Sequence, residues 1–160
     1  MGSIKESKSR QPSWASSPAT RRSMQANRSR DTKPEVALRQ LLHARGLRYR
    51  VCARPIPGMR RTADIVFRPA RVAVEVYGCF WHGCPEHYRA PATNSQYWAG
   101  KVERNMRRDA DTANTLNDAG WALVVVWEHE NLTEAAERVT ELVMLRRAAL
   151  TQSRTAGRRV

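Results

Sequence analysis

The chain has 160 residues, which suffices for one domain with a hydrophobic core but hardly for two. Its 28 Lys and Arg residues against 15 Asp and Glu give a formal net charge of +13, so a nucleic acid is a more fitting partner than an acidic membrane surface. No apolar run approaches the roughly 20 residues of a membrane span, and three cysteines do not make a disulfide framework, so we expect a cytoplasmic protein.

The N-terminal pattern predicts a basic arm followed by a helix. Residues 1–31 are rich in Ser, Lys and Arg and lack apolar periodicity, so we expect an arm that is disordered when the protein is free. Thr32 and Glu35 have the spacing of a capping box. Leucines at helical spacing then predict a helix that stops at Gly46.

The middle of the chain alternates between strand and helix signals. The stretches 47–51, 63–67 and 71–77 are β-branched or alternating and are separated by turn residues, which predicts three largely antiparallel strands. Near-helical apolar spacing predicts a long helix over 95–119. The apolar run WALVVVW at 121–127 indicates a buried strand.

A capped terminal helix over 133–150 completes the order αβββαβα. This order is typical of one α/β domain, so we expect a central mixed sheet flanked by helices over residues 32–150 and a basic tail over 151–160. Cys52, inside a predicted strand, is expected to be a core residue.

Metal-ligating residues concentrate in GCFWHGCPEH at residues 78–87. Cys79 and Cys84 are separated by four residues, His87 follows on the same loop, and His129 lies just beyond the last predicted strand. Zinc takes four nitrogen or sulfur ligands, and this set would tie the loop to the sheet. The alternative is two small core cysteines and two surface histidines.

A second group of candidates consists of carboxylates on neighbouring strands. Asp64 begins one strand, and Glu75 and Tyr77 share a face of the next. Many nucleases hold Mg²⁺ between such strands, because hard oxygen ligands seat the ion that polarises a phosphate. A cap at Asp64 and a solvated Glu75 are the competing interpretation of this spacing.

Several stretches, in this order, closely resemble the very-short-patch-repair (Vsr) DNA mismatch endonucleases of bacteria, from about Met24 to about Leu145. They are RSRDTKPE, IPGMRRTADIVF, VAVEVYGCFWHGCPEHYRAPATNSQYW, KVERNMRRDADTANTLNDAGW and VVVWEHE. The most specific element is GCFWHGC followed by PATNSQYW. The resemblance implies a restriction-endonuclease-like fold, a structural zinc, and Mg²⁺-dependent nicking of duplex DNA beside the T of a T:G mismatch produced by 5-methylcytosine deamination.

The resemblance also assigns roles to individual residues. Asp64 matches the Mg²⁺-binding aspartate, and the backbone carbonyl of Val76 would share the ion. His82 matches the histidine that handles the attacking water, and Glu35 matches a helix glutamate of the active site, although it already has a capping position. The implied zinc ligands, which leave His82 out, are Cys79, Cys84, His87 and His129.

Two positions depart from the better-known members, which have a hydrophobic residue followed two positions later by His or Asp. This chain has Glu75 and Tyr77 there, and we count both as catalytic candidates. Glu75 brings the site nearer to the Asp…Glu-x-Lys pattern of restriction enzymes. Tyr77 stands at the Lys position and cannot be a general base at neutral pH without a large shift, but it could hydrogen-bond a phosphate.

The resemblance also implies that three aromatic residues form a wedge that inserts between DNA bases. Phe80, Trp81 and Trp98 match residues that insert into the base stack beside the mismatch, which a weakened T:G pair favours. Ordinary core packing is the alternative for these three side chains. Trp121 and Trp127, which flank the apolar strand, we assign to the core.

Polar residues of the long helix are the expected readers of the mismatch. Lys101 and Asn105 share one helix face and match the family's mismatch-reading residues. Arg104 and Arg108 are expected to meet phosphates, although an exposed basic face is the ordinary explanation. Met24 corresponds to a base-step contact made by the arm.

Partners and alternatives complete the hypothesis. We expect a monomer in the bacterial nucleoid that acts on double-stranded DNA with a T:G mismatch and has a functional link to a cytosine-5 DNA methyltransferase; docking of other mismatch-repair proteins remains open. A non-cutting zinc-containing protein that binds mismatched or distorted DNA is one alternative, and a basic RNA-binding zinc protein is another. Because a pure binder has no reason to combine Asp64 with His82, the enzyme is favoured.

Overall fold

The computed structural model describes residues 30–156, so most of the N-terminal arm, including Met24, lies outside the described part. The elements in chain order are α1 (Lys33–Ala44), β1 (Arg50–Ala53), β2 (Ala63–Phe67), a 3-10 turn (Arg68–Ala70), β3 (Val72–Tyr77), α2 (Ser95–Asp118), β4 (Ala122–Trp127) and α3 (Leu132–Ala156). The predicted order αβββαβα is confirmed.

The strands form one mixed four-stranded sheet in the order β1-β2-β3-β4. The first three strands are antiparallel, with Ile65 opposite Val74. β3 and β4 are parallel, with Tyr77 opposite Trp127, and α2 makes the crossover between them. Because parallel strands end at the same edge of a sheet, the chain leaves β3 and β4 at neighbouring points, and the candidate site assembles there.

Helices cover both faces of this sheet, as expected for a single α/β domain. On one face α1 and α3 pack against β2 and β3 through a cluster that includes Leu38, Leu42, Ile65, Phe67, Val72, Val74, Val139 and Val143. On the other face α2 contributes Leu116 to a smaller cluster with Ala63, Val66, Ala73 and Trp121. Each fully buried Leu, Ile, Val or Phe side chain contributes about 1.5–3 kcal/mol, so these two clusters hold the sheet between its helices.

The start of α1 differs in its hydrogen bonds from the predicted capping box. Thr32 is the N-cap residue, but its side chain caps no backbone N–H group. Its hydroxyl instead donates to Oε1 of Glu35 at 2.9 Å, and the backbone N–H of Asp31 donates to Oε2 of Glu35 at 2.9 Å. The Glu35 carboxylate, only 5% exposed, is therefore the acceptor for the residues before the helix.

Other local differences have simple causes. β1 begins at Arg50 rather than at 47, because the N–H of Leu47 closes the end of α1 on the carbonyl of Leu42 at 3.2 Å. The prediction of Cys52 as a core residue is wrong: it is partly exposed in the left-handed region (φ 47°), and its Sγ lies 3.5 Å from the Thr62 hydroxyl. Trp121 is buried as predicted, whereas Trp127 is only partly buried.

The last helix also extends further than its sequence pattern indicated. α3 continues to Ala156, whereas the pattern predicted its end at residue 150. Its buried positions, among them Ala135, Ala136, Val139 and Val143, lie on the side that faces the sheet. Within residues 30–156, none of the helices has both the length and the apolar character that crossing a bilayer requires.

Candidate active site and metal centre

A pocket of about 270 Å³ opens at the edge of the sheet where β2 begins and β3 ends. All the catalytic and Mg²⁺-binding candidates predicted from the sequence line it, namely Glu35, Asp64, Glu75, Val76, Tyr77 and His82. The same pocket is lined by Arg61, Thr62, Arg108, Asp109 and Thr112. Two strands, two helices and the loop after β3, which are distant in sequence, thus bring acidic, basic and imidazole groups to one place.

Asp64 and Glu75 are the two strand carboxylates of this pocket. Oδ2 of Asp64 accepts the backbone N–H of Val76 at 2.8 Å. Burial raises the pKa of Asp64 to about 6, opposed by that hydrogen bond and assisted by the nearby Glu35. Burial also raises the pKa of Glu75 to about 7, opposed by a hydrogen bond with Tyr77 and assisted by Asp64. Negative charge is therefore costly here unless a cation compensates it.

The donor set of the pocket fits a hard divalent cation. Asp64, Glu75 and Val76 line the same cavity, and the two acids bring carboxylate oxygens to it. Mg²⁺ prefers oxygen ligands of this kind, and two carboxylates that repel one another gain from a bound cation. No cysteine lines this pocket, so the soft ligands lie elsewhere.

Two contacts hold the imidazole ring of His82, one at its edge and one against its face. Its Nδ1 lies 2.6 Å from Oδ2 of Asp109 in α2, and its ring stacks on Tyr77 with centroids 3.9 Å apart and planes 8° from parallel. A carboxylate at Nδ1 selects the tautomer that carries its proton there, which leaves Nε2 as the acceptor.

Asp109 was missed in the sequence analysis, although its spacing carried a signal. It follows Asn105 by four positions on α2, so the two side chains share one helix face. Asn105 donates through Nδ2 to the carbonyl of Trp81 at 2.8 Å, and Asp109 meets His82 next to it. The i, i+4 pair therefore holds two successive residues of one loop against the helix.

Arg61 is a second residue that the sequence analysis did not single out. Its Nη1 donates to Oγ1 of Thr112 at 2.8 Å and to the carbonyl of Arg108 at 3.1 Å, and its Nη2 lies 2.7 Å from Oδ2 of Asp111. These contacts fasten the segment before β2, and hence Asp64, to α2. Because the chain contains many basic residues, its sequence alone does not indicate that Arg61 makes these contacts.

Beside the pocket, the four candidate zinc ligands come together. One ligand atom from each of Cys79, Cys84, His87 and His129 lies within 4.8 Å of every other. The Cys79 Sγ is 3.1 Å from Nδ1 of His129, and the Cys84 Sγ is 3.8 Å from Nδ1 of each histidine. A tetrahedral zinc with ordinary bond lengths sets sulfur and nitrogen ligands about 3.6 Å apart, so this set fits zinc.

The sheet explains how ligands so distant in sequence meet. Tyr77 and Trp127 are partners in the parallel ladder, so Cys79 and His129 each follow a strand end by two residues at the same edge. The Glu128 carboxylate accepts a hydrogen bond from the backbone N–H of Cys79 at 2.6 Å, which links the segments that follow β3 and β4. His82 lies outside this cluster.

The predicted wedge and reader residues form one group next to the pocket. The rings of Phe80, Trp81 and Trp98 lie 5.1 to 5.9 Å apart and are all partly exposed. The Lys101 ammonium sits 5.2 Å from the Trp81 ring centroid and 5.5 Å from that of Trp98. Arg104 and Arg108 are exposed on the same helix, and Arg108 donates to Asn105 at 3.3 Å.

The chain is similar to proteins described as DNA mismatch endonucleases or as nicking enzymes. The sequence profile of the family described as DNA mismatch endonuclease Vsr matches residues 15–87. The chain is 48% identical over 122 residues to the type II nicking enzyme V.NaeI of Lentzea aerocolonigenes, covering 75% of this chain and 74% of the relative. It is 35% identical over 134 residues to the DNA mismatch endonuclease Vsr of Escherichia coli strain K12, covering 78% and 84% respectively. The type II nicking enzyme V.XorIIP of Xanthomonas oryzae is 42% identical over 108 residues, covering 67% and 77%.

Proposed function

The chain belongs to the Vsr family of DNA endonucleases, and from that membership we propose that it nicks one strand of duplex DNA beside the T of a T:G mismatch in a Mg²⁺-dependent reaction. Its relatives identify it as a DNA-nicking endonuclease. The mismatch, its origin in 5-methylcytosine deamination, and the metal are the proposed part. A functional link to a cytosine-5 DNA methyltransferase follows from that origin.

One observation carries the proposal more than any other: Asp64 and His82 line the same pocket, with the wedge residue Trp81 adjacent to His82 in the chain. A carboxylate for a hard cation and an imidazole for a proton are the two groups that phosphodiester hydrolysis needs. A protein that only binds DNA gains nothing from burying both.

In the proposed mechanism Asp64, with the Val76 carbonyl, would hold Mg²⁺, which when bound neutralises charge on the phosphate and lowers the pKa of water. His82 accepts a proton from the attacking water at Nε2, while Asp109 keeps the other ring proton on Nδ1. The water oxygen forms a bond to phosphorus, and one P–O bond of the backbone breaks to leave a nick. The Arg61 and Arg108 guanidinium groups at the pocket wall offer positive charge to the phosphate.

Glu35 and Glu75 have supporting places in this mechanism. Glu75 adds a second strand carboxylate beside Asp64, which suits a cation held by more than one acid. Glu35 is already occupied by Thr32 and Asp31, so it acts on the site through the charge it adds near Asp64.

Recognition of the mismatch is proposed to use the aromatic group. Phe80, Trp81 and Trp98 present partly exposed rings beside the pocket, where inserting them between bases costs a few kcal/mol of unstacking. A T:G pair is already weakened, so this cost is smaller there than at a normal pair. Lys101 and Asn105 lie against the same rings and loop and are proposed to read the exposed base edges, while Arg104 and Arg108 contact phosphates.

The remaining features of the hypothesis are proposals as well. The mixed sheet with helices on both faces is compatible with a restriction-endonuclease-like fold. The cluster of Cys79, Cys84, His87 and His129 would hold a structural zinc that fixes the loop carrying Phe80 and Trp81. We propose a monomer that works on DNA in the bacterial nucleoid, with residues 1–31 as a DNA-binding arm that includes Met24, 32–150 as the endonuclease domain and 151–160 as a basic tail.

A nicking assay tests the function directly. Labelled duplexes carry one T:G pair in varied sequence contexts, with matched C:G duplexes as controls, in Mg²⁺ or in EDTA. We expect a single cut beside the mismatched T, only with Mg²⁺. Tight mismatch binding without a cut in any context would replace the endonuclease by a non-cutting binder. Strongest binding to structured RNA would replace both.

A further inference from the structure

Tyr77, the last residue of β3, lies directly against His82, the candidate base. The residue is only 7% exposed, and its ring stacks nearly parallel on the imidazole of His82, with centroids 3.9 Å apart. It also makes an edge-to-face contact with the ring of Trp127, with centroids 5.5 Å apart and planes at 79°. A ring so enclosed cannot turn toward a substrate without losing both neighbours.

Tyr77 and Glu75 are two positions apart on β3, so their side chains lie on the same face of the strand, and both residues line the pocket.

We propose that Tyr77 is a positioning residue for the nicking reaction, whose ring fixes the plane of the His82 imidazole. The inference rests on the proposed function and deepens it by assigning how the base is held. It also accounts for a position at which this chain departs from better-known family members.

Stacking on Tyr77 restricts how the His82 imidazole can move. The hydrogen bond that Nδ1 of His82 donates to Asp109 fixes one edge of the imidazole but allows the ring to tilt about the Nδ1–Oδ2 axis. A parallel ring at van der Waals distance removes that tilt, and the edge contact with Trp127 prevents Tyr77 from following. Nε2 then points in one direction, and misplacing a catalytic group by about 1 Å can cost about 100-fold in rate.

The test compares Tyr77→Leu, which removes the flat ring, with Tyr77→Phe, which keeps it. Single-turnover nicking at saturating enzyme is measured together with the dissociation constant for mismatched duplex. We expect Tyr77→Leu to lower the rate about 100-fold with little change in binding, and Tyr77→Phe to lose much less. Equal rates for Tyr77→Leu and wild type would overturn the proposal.

A second comparison separates positioning from general stability. In a His82→Ala background, where no imidazole remains to be positioned, Tyr77→Leu is expected to have no additional effect on the residual rate. A further loss in that background, of the size seen in the wild type, would show that the ring acts on something other than His82. Zinc content and melting temperature of each variant report whether it is folded.

Proton NMR of the zinc-loaded protein provides a readout that does not depend on nicking. Ring current from the stacked phenol is expected to move the His82 ring protons upfield in the wild type and in Tyr77→Phe, and not in Tyr77→Leu. Absence of the upfield shift in folded wild type would remove the stack and the proposal with it. A wild type with the shift but without nicking under any condition would instead overturn the proposed function, and with it a role for Tyr77 in nicking.

Discussion

Nδ1 of His82 lies 2.6 Å from Oδ2 of Asp109, so the loop after β3 and the middle of α2 meet at the candidate base. Both side chains are largely shielded, with 20% and 15% of their surface exposed. A short hydrogen bond between an imidazole and a carboxylate orients the ring and sets its tautomer, which is the usual arrangement for a histidine that accepts a proton during catalysis.

Removal of the Asp109 charge is expected to slow the chemical step. Asp109→Asn should lower the single-turnover nicking rate by about 10- to 1,000-fold, because the amide no longer favours the productive tautomer or a protonated ring. Affinity for the duplex should change little. Asp118→Asn is the matched control, since Asp118 is an exposed residue at the end of α2 and does not line the pocket. Similar losses in both variants would contradict the specific role of Asp109.

Asp64 should be indispensable to cutting but not to binding. Asp64→Ala is expected to abolish nicking, since it removes the oxygen ligands proposed for Mg²⁺, and to leave the mismatch affinity measured by gel shift intact. Tyr77→Phe should cost less than Asp64→Ala, because it keeps the stacked ring. Equal loss of nicking in the two variants would refute this order.

The cysteine and histidine cluster should hold one zinc per chain. Elemental analysis of purified protein is expected to find it, and chelation should unfold the loop, because a structural zinc contributes directly to folding. Cys84→Ser should lower zinc content and melting temperature, whereas Cys52→Ser, outside the cluster, should alter neither appreciably. Purified protein without stoichiometric zinc would end this assignment.

The buried acid Glu75 makes stability in the absence of divalent cations depend on pH. Its folded pKa of about 7 is above the ordinary value of 4.5, so folding takes up a proton. The contribution of Glu75 to the free energy of unfolding is fully present at low pH and is lost as the pH rises through about 7. Relative to wild type, Glu75→Gln should therefore gain ~1–3 kcal/mol more at pH 8 than at pH 5 in denaturant unfolding. Exposed Glu103→Gln is the control, and identical pH profiles for wild type and Glu75→Gln would be the contrary result.

The aromatic group should govern selection of the mismatch. Trp98→Ala is expected to weaken binding to T:G duplex by about 1–3 kcal/mol, the range for a lost base–aromatic stack, and to affect matched duplex much less. Met144→Ala, an exposed apolar residue on α3, controls for loss of surface area. Competition binding with the two duplexes measures the ratio. An unchanged ratio would place recognition elsewhere.

Much of the fold was predictable from local pattern. Strand alternation over ADIVF and helical spacing over 95–119 depend only on neighbours in sequence, and β2 and α2 lie where these patterns predicted them. The candidate zinc ligands were recognisable because three of them share one loop and His129 lies just beyond the last predicted strand, and the resemblance agreed with this set. Predictions weakened at element ends, as at Leu47, whose N–H is taken by the helix before it.

What the sequence by itself determined was the order of the elements, the single α/β domain, the family, and the residue types that line the pocket. Only the tertiary structure decided which of them touch: Asp109 and Tyr77 on two sides of His82, and Arg61 fastened to Thr112. Periodicity reports contacts within a helix or strand, where spacing is fixed by backbone geometry. Contacts between α2, the loop and β3 depend on strand register and on how the helix packs over the sheet, which arise only when the whole core closes.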